Sequence, residues 1–140
     1  EVGLFVVMHR LLSRFYIPWI LVASLLLAAL RWLMIALAGD SLWLLALAQL
    51  LHAASFGSFH AASIAWVHRQ FGEALGGQGQ ALYSSLGFGA GWAAGAGLSG
   101  VLWQQWGVNL FFAATLVAVL AAGLLVVGGV TRSAHRGQIR

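Results

Sequence analysis

A chain of 140 residues with 61% hydrophobic and only 7% charged residues cannot clothe a water-soluble surface, which takes about a quarter of its residues as charged ones. Its net charge of +4 is carried by arginine without any lysine, and the arginines stand at the ends of apolar runs rather than along one stripe, which argues against a nucleic-acid partner. The absence of cysteine removes disulfides and thiolate metal sites from consideration, leaving a membrane-spanning chain.

The first apolar piece, "EVGLFVVM", is too short to cross a bilayer and lacks the basic start of a signal peptide. It reads as the second half of a helix over residues 1–12, followed by a basic connector carrying Arg10 and Arg14. Residues 17–38 then form a mainly apolar run of about 22 residues, enough to cross, with Pro18 suited to the first helical turn. "AGDS" ends it, with Gly39 as breaker and Asp40 or Ser41 as the next N-cap. A second span is expected over 42–67. The polar stretch "HRQFGEALGGQGQ" (68–80) reads as a loop, and a third span, rich in small residues, follows over 80–106. After the tight turn "GVN" comes a fourth span over 110–130, and residues 131–140 form a basic tail.

Arginine placement sets the orientation. If the spans alternate, Arg10, Arg14, Arg69, Arg132, Arg136 and Arg140 all fall on one side, and the opposite loops carry no positive charge. The positive-inside rule makes that side cytoplasmic, together with the C-terminus, and a bacterial inner membrane is the expected setting.

The second span holds the polar groups that need explaining. "LLHAASFGSFHAASIAW" (50–66) carries His52 and His60, eight residues apart and therefore about 80° around a helix. Phe56 lies between them and Gln49 one turn before. A water-lined face is the functional reading, because a histidine with an ordinary pKa of about 6.5 binds polar solutes and relays protons. Packing against a neighbouring helix is the structural one. Glu1, placed mid-membrane if its helix is completed, is a candidate proton carrier, since a carboxylate held in a low-dielectric span takes up a proton readily. Tyr83 adds a hydroxyl near the cytoplasmic end of the third span. Gly87, Gly91 and Gly95 recur every four residues, a small-xxx-small pattern for close helix packing. Arg31 reads as a structural charge that snorkels outward beside Trp32. No cofactor and no metal site are expected, since only one span has histidines deep inside and carboxylates are scarce.

The segments "EVGLFVV", "LRW", "LLHAASFGSFHAASIAW" and "GQGQALYSSLGFGAGWAAGAGLSGVLW" occur in the order seen in the major facilitator superfamily. They resemble its branch typified by phenylpropionate transporters, near the nucleoside:proton symporters, along almost the whole chain. The resemblance implies an all-α polytopic membrane fold, here the C-terminal part of twelve helices: the end of helix 8, then helices 9–12. It further implies that Glu1, His52, His60 and Tyr83 border a central cavity while Arg31 sits on an outer helix. The expected function is proton-coupled symport of a small organic solute by alternating access, with an aromatic carboxylate as the favoured class. The partners are then the lipid bilayer, the missing N-terminal helices, the solute and protons. The alternative is a small stand-alone membrane scaffold or assembly protein packing through its glycine-rich face. An enzyme is not expected, because no nucleophile–base pair or HExxH motif is present.

Overall fold

The computed structural model describes residue 12 and residues 14–137, the side chains of 129–137 excepted. Nearly all of this is helical, with no strand among the described residues. Helix α1 spans Ile17–Leu37 with Pro18 in its first turn, where the missing N–H has no helical partner to lose. Its one buried polar side chain, Ser24, donates to the Ile20 carbonyl at 2.7 Å, which lets a hydroxyl lie in an apolar helix. Gly39 turns the chain, and Ser41 caps the next helix by accepting from the Leu44 N–H at 3.4 Å.

Helix α2, Leu42–Tyr83, is bent at one residue. Gly72 takes φ 68° and ψ −179°, a backbone state that only glycine enters cheaply, and the helix resumes beyond it running back along itself. Residues on either side of that turn therefore meet: Gly76 lies against His68, four residues away on each side, and Gly79 lies against Val67 and Phe71. The stretch 68–80, expected to be a loop, is thus helical on both sides of Gly72, and the helices expected over 42–67 and 80–106 reach almost to each other. Gly72→Ala should destabilise the fold by about 1–3 kcal/mol in detergent unfolding experiments. An unchanged midpoint would contradict the single-residue turn.

A π-helical segment, Ser84–Gly91, follows, then α3, Trp92–Trp106. A 3₁₀ turn, Gly107–Asn109, leads into α4, Leu110–Gly137, which continues the helix into the stretch expected as a tail. Ile17–Leu37 and the bent stretch Leu42–Gly128 are long and apolar enough to cross a membrane.

Helix α1 lies between the first arm of α2 and α4. Their contact is tightest at one end, where Ile17, Ile20, Leu21 and Ala62 are buried beneath Phe59, Trp66 and Leu125. At the other end Phe111 stacks on Trp32 at 5.6 Å and meets the edge of Trp103 at 5.9 Å, joining α1, α3 and α4. Large apolar side chains cover the outside, Trp43 at 83% and Leu124 at 74% exposure among them. Such a surface suits lipid or further helices, not water. Tyr16, Trp19 and Trp66 cluster toward one end of the bundle, with Trp43, Trp103 and Trp106 toward the other, as interfacial aromatic belts do.

Candidate functional site

The hairpin about Gly72 builds the site. On the first arm of α2, His52, Phe56 and His60 follow one another at four-residue steps and so stand on one helix face. Phe56 lies 5.6 Å from His52 and 6.0 Å from His60, its plane within 2° of the His60 ring. The two imidazoles are thereby separate stations along the helix with a phenyl ring between them.

The returning arm closes the far side of this ladder. Tyr83 Oη lies 3.4 Å from His60 Nδ1, a long hydrogen bond whose donor depends on the ring's protonation. With His60 neutral at Nδ1 the tyrosine donates; with His60 charged the imidazolium does. Phe88 presents its edge or face to three rings at once, at 5.3 Å to His60, 5.8 Å to Tyr83 and 6.0 Å to Phe56, all near perpendicular. T-shaped contacts of this kind add about 0.5–1.5 kcal/mol each beyond area burial.

Phe88 is the site residue that sequence reasoning misses. It follows Tyr83 by five residues, a spacing that in an α-helix points to a different side. The π-helical segment between them widens the turn to i→i+5, which brings residues five apart nearly into line. Gly87, Gly89 and Gly91, poor α-helix formers, fall inside that segment. A π-helix read from "SSLGFGAG" would have found the phenylalanine.

Beyond Phe88 the two arms part. Cβ atoms built at Gly95, Gly97 and Gly100 would meet nothing within 4 Å, and Gln49, His52 and Trp92 are exposed. The helix-packing face expected at Gly87, Gly91 and Gly95 is consequently uncovered among the described residues. Gln49 sits one turn beyond His52 on the same arm and makes no ring contact. Glu1 lies outside the described residues.

Arg31 stands on α1 with its guanidinium carbon 3.8 Å above the centre of the Trp32 ring, a cation–π contact. Its Nε is buried and has no hydrogen-bond partner among the described residues. Among those residues no group of three or more His, Cys, Asp or Glu side chains is gathered as a metal site would require.

Residues 1–114 match the MFS_1 like family. The chain belongs to it. No curated protein and no solved structure matches the chain. Membership of this major facilitator family makes the helical bundle a membrane-transporter fold rather than an enzyme scaffold, and the matched range takes in all of α1, α2, the π-helical segment and α3. The ring cluster of His52, Phe56, His60, Tyr83 and Phe88 falls wholly within it.

Proposed function

We propose that this MFS_1-like chain serves a secondary active transporter of the phenylpropionate-transporter branch, coupling proton movement to the passage of a small aromatic carboxylate. The observation that carries this reading is the ladder of two imidazoles and a tyrosine hydroxyl embedded among phenyl rings on helices otherwise built for lipid. Ionisable groups at membrane depth are expensive, so they are kept where they do something. Aromatic faces offer a planar solute a stacking surface, and His52, His60 and Glu1 offer exchangeable protons. Gln49 extends the polar face toward the open end.

The remaining helices of the transporter cover the exposed glycine face at Gly87, Gly91 and Gly95, and the two halves rock about the site in alternating access. The arginine-rich ends lie on the cytoplasmic side of a bacterial inner membrane, as does the C-terminus. Lipid, solute and protons are the partners, with no part for nucleic acid. The uncovered glycine face also suits a scaffold that binds other membrane proteins; family membership favours the transporter.

Uptake by the full-length protein carrying His52→Ala or Glu1→Gln tests the coupling roles. Proton-driven accumulation should fall at least about tenfold in the His52 variant, the scale on which losing one proton-transfer group reads out. Unchanged proton-driven transport in both variants would remove these two residues from the coupling path.

A further inference from the structure

The end of the bundle where α1, α2 and α4 pack most tightly also carries arginines from three segments. Beside the buried Ile17, Ile20, Leu21 and Ala62 runs a groove of about 260 Å³. Its walls are Tyr16 and Leu21, Trp66 of α2, and Leu124, Leu125 and Gly128 of α4, none of them part of the ring cluster around His60. The volume falls short of the about 300–1,000 Å³ that encloses a whole small molecule. Its lips are open, with Tyr16 56% and Leu124 74% exposed. Such a groove suits a length of apolar chain entering from the bilayer rather than an enclosed solute.

Each wall leads to an arginine. Ala62, Trp66 and Arg69 follow at steps of four and three on one face of α2, and Ala62 packs that face against α1. Arg69 therefore stands about 4.5 Å of helix beyond the groove. Arg14 precedes Tyr16 by two residues, at most about 7 Å of chain. On α4, Arg132 follows Leu125 by seven residues and Gly128 by four, in register with both. Arg14 and Arg69 are exposed. Among the described residues the one carboxylate at this end is Glu73, past the turn at Gly72, so positive charge is in excess.

We propose that this groove binds an anionic phospholipid, with an acyl chain lying between Trp66 and Leu125 and the phosphate held by Arg14 and Arg69 at the mouth. Charge complementarity selects lipid over another helix. A packed helix would have to bring acidic residues to the arginines, whereas an anionic leaflet supplies phosphate at that depth. Tyr16, Trp19 and Trp66 stand at the same level, where aromatic side chains meet headgroups. A guanidinium fork matches two phosphate oxygens at once. Whatever the solute, a lipid seated here bridges α1, α2 and α4 at the end opposite the Trp32–Phe111 stack.

The test is native mass spectrometry of the purified full-length protein titrated in detergent with three probes. These are dioleoylphosphatidylglycerol, dioleoylphosphatidylcholine with identical chains, and glycerol phosphate with none. The native protein should hold one phosphatidylglycerol about tenfold or more tighter than phosphatidylcholine, and glycerol phosphate more weakly than either. Arg14→Gln and Arg69→Gln should each cost about fivefold of that preference, the scale of one basic residue at an anionic surface, and the double variant should bring it within about twofold. A Cβ at Gly128 meets nothing within 4 Å, so Gly128→Leu fills the groove without displacing a neighbour. It should weaken both lipids by about tenfold, the scale of two displaced methylenes, and leave their ratio unchanged. Equal binding of the two lipids by the native protein, or a preference that survives in the double arginine variant, overturns the proposal. Glycerol phosphate held as tightly as the lipid makes this a free-phosphate site and overturns it as well. So does a lowered unfolding midpoint in Gly128→Leu with lipid binding intact, the mark of another helix seated in the groove. Arg14 and Arg69 are exposed, so their variants decide the matter alone if Gly128→Leu fails to fold.

Discussion

Gly79→Val is expected to prise apart the two arms of α2 and to destabilise the protein by about 1–3 kcal/mol, the usual penalty for forcing methyl groups into a filled contact. A Cβ at this position would lie 2.6 Å from the Phe71 ring and 2.9 Å from a Val67 methyl. The atoms met are close to the backbone, the root of the Phe71 ring and a γ-methyl of Val67, so relief takes a shift of one arm against the other. Gly77→Ala is the matched control, two residues away with nothing within 4 Å of its new methyl. An alanine there should be neutral or stabilise by about 0.5–1 kcal/mol, through helix propensity alone. Unfolding in detergent separates the cases. Equal effects at both positions would mean the arms are not in contact at Gly79. The damage should also reach the site, because Tyr83 stands one turn beyond Gly79 and would be carried away from His60.

His60→Phe is expected to keep the fold and abolish most of the coupling. The imidazole lies parallel to Phe56 and edge-on to Phe88, and a phenyl ring of similar shape fits both contacts. What disappears is the ring nitrogen that faces Tyr83 Oη at 3.4 Å. Proton-driven accumulation should fall by about tenfold or more, while solute exchange without a proton gradient continues. Tyr83→Phe removes the partner and leaves the imidazole, so its effect should be smaller, a factor of about 2 to 10 corresponding to one hydrogen bond. Measured accumulation and exchange in proteoliposomes distinguish the two. Exchange lost in parallel with accumulation would make His60 a packing residue.

Much of this was legible because apolar length and helix caps are local signals. The run before Leu37 is apolar apart from Ser24 and Arg31, and Gly39 with Ser41 marks the boundary by backbone freedom and a side-chain cap. The row of His52, Phe56 and His60 was equally plain, since four-residue spacing puts side chains on one face whatever the tertiary fold. The stretch 68–80 was not legible. Its four glycines and its charges mimic a loop, yet only Gly72 needs a backbone that a helix cannot supply; Gly76 and Gly79 are small because His68, Phe71 and Val67 come close. The meeting of Tyr83 with His60 depends on that turn, so it could not be read from either residue alone. Phe88 was hidden by a change of helical period, which sequence spacing does not announce.

The central claim is that solute and proton move together through this site. Proteoliposomes containing the full-length protein, at equal pH on both sides and with the membrane potential clamped at zero, should show external alkalinisation when phenylacetate is added. Protein-free vesicles subtract the acid that crosses lipid unaided, and His60→Phe should lose the protein-dependent part of the signal. Protein-dependent entry of the solute with no accompanying proton movement would contradict the account.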